Sequence, residues 1–332
     1  AAVARSFGVQ TPSLYSHVKD LADLRDGITA LALGELAANI GEAIAGRSKK
    51  DALVGFAITH RQYSTEHPGR WASLQRRAGQ AAVDTDAARR IVQTKMWPAN
   101  CRLLDPLEAA AAAGMDGANA LLLLGFESAE VPQGELIRHA VDIAREAGGT
   151  IDDANIRVAD GSGGSSDGDT GRQGSVGAWR NSFLNAPYMK NHQAGLGLVT
   201  ETMETAVTWD RWPALDQAVR AALQGALDRV CGGGTVSCRF THVYTDGPAP
   251  YFTFEGMGRL GAELEMYAEI KQAASDAIMA SGGTITHHHA VGRLHRPWYD
   301  QQRPELFAQA LKAVKRTLDP NGVLNPGLLI DA

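Results

Sequence analysis

Hydrophobic periodicity changes kind near residue 84, and that switch limits the folds open to this 332-residue chain. Before 80–85 the apolar positions recur at helical spacing without a convincing strand. After it, short apolar runs of β character alternate with helical stretches, which is the pattern of an α+β or α/β domain. A chain of this length has room for two separate cores. The switch therefore predicts a small all-α piece over 1–83 and one α+β domain over 84–332. Charge divides at the same place. Residues 1–83 hold 10 Lys and Arg against 7 Asp and Glu, whereas the remainder holds 22 against 30. A basic head on an acidic body implies different partners for the two parts.

Within the larger part, strands are predicted at 121–126, from Gly149 onward, at 199–209, 236–244 and 251–254. The last two are joined by the turn Asp246-Gly247-Pro248. Helices are predicted at 134–146 and 212–230. A third follows the stripe Leu260, Leu264, Tyr267, Ala274 and Ile278, closing at Gly282-Gly283. The order α–β–β–α–β over 212–289 predicts a ferredoxin-like antiparallel sheet with helices over one face. Near the C-terminus, Phe307, Leu311, Val314 and Leu318 share one face of a helix that stops before Asn325-Pro326-Gly327. The Gly- and Ser-rich run 160–177 lacks the Gly-Lys-Ser/Thr of a phosphate loop and is expected to be a mobile surface loop.

No apolar run reaches the ~20 residues that span a bilayer. Cys101, Cys231 and Cys238 have no zinc-knuckle spacing. A cytoplasmic protein is expected. The triplet His287-His288-His289 is the sharpest chemical signal. If it is extended, His287 and His289 share one side and His288 faces the other, so no metal centre is expected from these three alone.

The opening segment reads as helix, turn at Gly8, and a second helix started by Thr11 and Pro12. Ala4, Gly8, Val9, Leu14 and Tyr15 give it a resemblance to TetR-type repressors, and AITHRQYSTEHPGRW at 57–71 is similar to the ligand-domain helix of one subgroup. The resemblance implies a helix-turn-helix whose Thr11, Ser13, Tyr15, His17 and Lys19 face DNA. The helix that packs across this motif in the family lies outside the match. Binding through residues 1–30 is therefore expected to be weak.

Five strings occur in order across 84–332: WPANCRLLD at 97–105, WRNSFLNAPYMK at 179–190, SCRFTHVYTDGPAPYFTF at 237–254, THHHAVGRLHRPW at 286–298 and LDPNGVLNPGL at 318–328. Together they resemble the C-terminal half of FAD-linked oxidases, in the alkyldihydroxyacetonephosphate synthase-like branch of the vanillyl-alcohol oxidase superfamily. The resemblance implies FAD as cofactor and Tyr251 as catalytic acid/base, with Tyr244 as runner-up. It puts His287, His288 and His289 on the substrate side, and Arg102 and Asn325 near the flavin. Arg180, Lys190 and Arg293, with His295, become the groups that hold an anionic substrate.

The implied substrate is a small molecule, either phosphorylated and exchanging acyl for alkyl, or a hydroxy acid being oxidised. The superfamily grips adenine and pyrophosphate with a Gly-rich half that precedes this one. Residues 1–83 carry no such segment, so the chain alone is expected to hold little FAD and to be inactive in isolation. The competing readings are a TetR-type DNA-binding regulator and an inactive fusion product. Tyr251, the triplet and Arg102 are expected to meet around one pocket.

Overall fold

The structure, a computed structural model, describes residues 21–74, 85–158 and 174–331. The chain divides into two units, 1–82 and 83–332.

The smaller unit is helical throughout its described part, with α1 (Leu21–Ile44), α2 (Lys49–Glu66) and α3 (Pro68–Leu74). Close crossing of α1 and α2 needs Gly55, where a Cβ would meet the Ala43 carbonyl oxygen at 2.8 Å. Tyr63 is buried between them, and its hydroxyl donates to Glu35 Oε2 at 2.9 Å. Arg70 of α3 closes on the same carboxylate at 2.6 Å. His67-Pro68-Gly69 separates α2 from α3, because proline cannot supply the N–H that would continue α2. The predicted recognition helix, with Thr11, Ser13, Tyr15, His17 and Lys19, lies outside the described residues.

The larger unit is built on one antiparallel sheet. Its strands are β1 (Asn100–Leu104), β2 (Leu121–Gly125), β3 (Leu198–Glu204), β4 (Thr235–Val243) and β5 (Pro248–Met257), in the order β2-β1-β4-β5-β3. Alternation sends Leu103, Val236, Phe240, Phe252 and Phe254 to one face. There they meet Leu215, Val219 and Leu223 of α8 (Trp212–Cys231) and Ile270, Ala274 and Ile278 of α9 (Glu263–Ala280). Each fully buried side chain of this size contributes about 1.5–3 kcal/mol of transfer free energy. At the β2 end of the same face, α4 (Asp86–Gln93) and α6 (Gly134–Glu146) pack Ile91, Ala140 and Ile143 against Leu122 and Leu124.

The expectation of helices over one face only does not hold. Leu121 and Leu123 point the other way, where α5 (Pro106–Ala113) and Trp179 of α7 (Gly174–Gly195) cover them. A strand with leucine at four consecutive positions is apolar on both faces, so both need cover. Over β4, β5 and β3 this second face carries polar side chains instead.

Other expectations also need correction. No strand forms at 284–289. That segment bends, pinned by Thr284 N–H to the Ala206 carbonyl at 3.0 Å and by Thr205 Oγ1 to the Thr284 carbonyl at 2.6 Å. The sheet edge beside β5 is already taken by β3. Residues 149–158 hold a 3-10 turn (Asp153–Asn155) rather than a strand. Of the predicted loop, 174–177 begin α7 and 159–173 lie outside the described residues. Leu260 and Leu264 are exposed, and the buried line of α9 is Met266, Ile270, Ala274 and Ile278. Phe307, Val314 and Leu318 of α11 (Glu305–Leu318) are likewise exposed among the described residues. Asn325 forms the final turn with φ 45°.

Asp105 ties this architecture together. It caps α5 by accepting from Glu108 N–H at 2.8 Å, accepts Cys238 N–H from β4 at 2.7 Å, and pairs with Arg220 of α8 at 2.9 Å. Replacement Asp105→Ala removes the cap and takes one of two carboxylate partners from the half-buried Arg220. A loss of about 3 kcal/mol is expected, read by urea unfolding of the full chain with an unchanged slope.

Candidate active site

Register alone aligns three side chains across the polar face. Tyr251 of β5 stands opposite Arg239 of β4 and opposite Glu204 of β3. The Arg239 guanidinium lies over the Tyr251 ring, 4.1 Å from its centre, and ion-pairs with the buried Glu108 of α5. Glu108 also accepts from Ser237 Oγ at 2.8 Å. Arg239 Nε is buried without a partner among the described residues. The Tyr251 hydroxyl donates to Thr202 Oγ1 at 3.0 Å, and the His289 ring meets Tyr251 edge-on at 5.4 Å.

Glu204 is the second focus, and its side chain has no exposed surface. It accepts from Thr241 Oγ1 at 3.2 Å, from His288 N–H at 2.9 Å and from His289 N–H at 3.3 Å. His287 Nδ1 lies 3.1 Å from Glu204 Oε1, and His288 Nδ1 is in closer contact with the same oxygen. Burial disfavours the Glu204 carboxylate, but these donors and the neighbouring imidazoles outweigh it and hold its pKa below the ordinary value. A bulge between Phe240 and His242 shifts the β4 register there. As a result Thr241 reaches Glu204 while His242 sits 5.2 and 5.1 Å from the rings of His287 and His288. Burial, then the two neighbouring histidines, lowers the His242 pKa; burial likewise lowers that of His289. Tyr244, just past the bulge, places its hydroxyl 2.9 Å from His287 Nε2.

The alternation expected of the triplet is overturned. His287 and His288 both turn to Glu204, and His289 turns to Tyr251. In a bent backbone, two successive N–H groups converge on one carboxylate and the side chains follow. With His242, these residues bring four ligand-type atoms within 4.8 Å of one another, a cluster that the spacing of the triplet does not reveal.

Arg102 of β1 lies on the same face, its guanidinium 4.8 Å from the centre of the Trp179 ring and its Nε donating to Asn100 Oδ1 at 3.1 Å. Burial, then the proximity of Arg239, lowers its pKa. Three other expected groups are engaged elsewhere. Lys190 pairs with Glu201 at 2.8 Å, Arg293 donates to the Pro326 carbonyl at 3.3 Å, and Asn325 accepts Leu328 N–H through its backbone. Arg180 is exposed on α7, and His295 is buried at the start of α10 (Arg296–Gln302), with Nδ1 3.2 Å from the Ala290 carbonyl. Glu204, His242, Arg239 and Glu108 escape a linear reading. Only cross-strand pairing with Tyr251, contact with the triplet or, for Glu108, the ion pair with Arg239 marks them.

The larger unit is thus an antiparallel sheet packed on helices, one face of which is lined by arginine, glutamate, tyrosine and histidine. The chain belongs to the FAD linked oxidases, C-terminal domain family, which matches residues 77–329. It is similar to the alkyldihydroxyacetonephosphate synthase of Caenorhabditis elegans, 35% identical over 152 residues, a match covering 43% of this chain and 25% of that protein. The matched segment thus spans about a quarter of this relative's length. A solved structure of alkyldihydroxyacetonephosphate synthase shares the fold, with TM-score 0.50 and 18% identity over 73% of this chain and 42% of that one. A separate stretch of 75 residues is 35% identical to an uncharacterized HTH-type transcriptional regulator of Mycobacterium tuberculosis, covering 23% of this chain and 34% of the regulator. Among the described residues no helix is long and apolar enough to cross a membrane.

Behind Thr202, Lys271 of α9 is 3% exposed and donates to the Thr202 carbonyl at 2.9 Å. Burial pushes its pKa down to about 8. A lysine whose folded pKa lies below its unfolded one binds fewer protons when folded, so stability rises with pH between about 8 and ~10.4. Subtracting the unfolding free energies of Lys271→Met from those of the native chain across that window should recover this rise. A flat difference would contradict it.

Proposed function

We propose that residues 84–332 form the substrate side of an FAD-dependent enzyme of the alkyldihydroxyacetonephosphate synthase type. The observation that carries this reading is the row Arg239–Tyr251–Glu204, with the triplet beside it. The residues fit the ring end of a flavin and an anionic substrate. A buried guanidinium N–H is left unpaired, the Tyr251 phenol and the His289 imidazole meet edge-on, and a second guanidinium stands on the same face. FAD, when bound, supplies an electron-accepting ring against which the substrate carbon reacts. Tyr251 takes and returns the proton at the carbon next to the substrate carbonyl, and Thr202 orients its hydroxyl. Arg102 holds the phosphate, a role that Lys190, Arg293 and the Glu108-paired Arg239 leave open by pairing elsewhere. Arg guanidinium suits this task through its bidentate fork.

Solvent-deuterium exchange into acyldihydroxyacetone phosphate, followed by mass spectrometry with FAD supplied, tests the assignment. Tyr251→Phe should slow exchange about 100-fold or more, and Tyr244→Phe much less. Equal losses would move the role to Tyr244, and no exchange by flavin-loaded protein would refute the reaction.

A second reading, DNA binding through residues 1–30, rests on the similarity to the helix-turn-helix regulator. It requires retardation of promoter DNA that weakens steeply between low and physiological salt.

A further inference from the structure

We propose that Glu204, His242, His287 and His288 form a binding site for one divalent first-row metal ion, zinc fitting best. The claim is independent of the flavin reaction. It begins with the separations among ligand atoms. His287 Nδ1 lies 3.1 Å from Glu204 Oε1 and 3.4 Å from His288 Nδ1, and His288 Nδ1 closes the triangle on the same oxygen. A tetrahedral zinc ion with ligands at ~2.0–2.1 Å has ligand-to-ligand edges of about 3.3–3.4 Å. Two sides of the triangle lie close to that edge, and on the third the carboxylate and imidazole are in direct contact. His242 supplies the fourth position, its ring nitrogen within 4.8 Å of the others.

The donor chemistry agrees. Three imidazoles with one carboxylate suit zinc, iron, nickel or copper, whereas magnesium and calcium want oxygen. Zinc needs no redox partner and takes four ligands in this arrangement. The surroundings also hold the ligands in place, as metal sites require. Glu204 Oε2 accepts the N–H groups of His288 and His289, leaving Oε1 directed at the imidazoles. The far nitrogen of His287 reaches the Tyr244 hydroxyl at 2.9 Å, which fixes the ring so that Nδ1 faces the cluster. One side stays accessible, since the His288 side chain is about half exposed while Glu204 is enclosed. An ion can enter there, and an oxygen ligand can approach it from the face that also carries Tyr251.

Hydrogen bonding alone accounts for His287 and His288 on a shared carboxylate. It does not account for His242. That ring is brought by a strand bulge into the same few ångströms, against two other imidazoles. A cation shared among all four ligands accounts for their gathering at one point.

The test uses the full chain, without a polyhistidine tag, stripped with chelator and titrated with zinc chloride by calorimetry and with cobalt chloride by visible absorption. One equivalent should bind, and cobalt should give the intense bands of a four-coordinate N/O site. Glu204→Gln and His242→Ala should each weaken zinc affinity at least about tenfold, while His139→Ala on the exposed side of α6 leaves it unchanged. Circular dichroism on the same samples reports folding. If either variant fails to fold, the cobalt spectrum of the native chain decides alone. Weak, pale, six-coordinate bands would overturn the proposal, as would absence of stoichiometric binding or equal losses in His139→Ala. No flavin or substrate is present, so failure of the proposed reaction leaves this result readable.

Discussion

A carboxylate placed under a sheet face must collect donors or lose its charge, and Glu204 satisfies that requirement with the backbone itself. Its side chain is closed to solvent, so Thr241, two consecutive amides and two imidazoles converge on its oxygens. That convergence is what bends 287–289 and separates His289 from its two neighbours. His289 is freed to meet Tyr251, while His287 and His288 are held with the acid. One desolvated charge thus sorts three identical neighbours into two tasks. Asp105 does comparable work at the β1 end, drawing a helix N-terminus, a strand amide and a guanidinium to one point.

Much of the fold can be read from the chain because it is locally encoded. Helix α6 runs from Gly134 to Glu146, as its spacing implies, and the hairpin around Asp246-Gly247-Pro248 falls between β4 and β5. Gly247 is fixed there by crowding, since a Cβ would lie 1.8 Å from the Val207 carbonyl oxygen. The cover on the second face escapes the sequence reading, although four consecutive leucines in β2 need cover on both sides. The run 284–289 is read as a strand, but β3 fills the place beside β5 and the amides of the run turn to Glu204, so tertiary context wins. Leu260 and Leu264 read as core yet lie outside the stretch of α9 that touches the sheet.

The site is legible in a different way. Tyr251, Tyr244 and the triplet stand out because rare residue types fall in short strings. Glu204, His242 and Arg239 are single residues whose meaning comes from register, and register is not written locally. Arg102 lies on the same face, beside Arg239. Lys190 and Arg293 carry the charge that a phosphate clamp needs but spend it on Glu201 and on the Pro326 carbonyl. Family membership fixes the fold and the flavin association of the type. The short matched fraction of the full-length synthase leaves reaction and substrate to the experiments above.

The bulge in β4 carries a consequence for how such a face can change over generations. Thr241 and His242 both serve the histidine cluster only because one extra residue interrupts the regular ladder between Phe240 and the turn. Loss of a single codon there would restore strict alternation and leave the hairpin intact. Phe240 and Val243 would keep the core face and the imidazole the polar one, while Glu204 would lose the threonine hydroxyl. Point substitutions can adjust this face by degrees, whereas deletion of that one residue would take a donor from the buried carboxylate in a single step. Length variation at this spot, more than residue identity, is where descendants of this fold would part company.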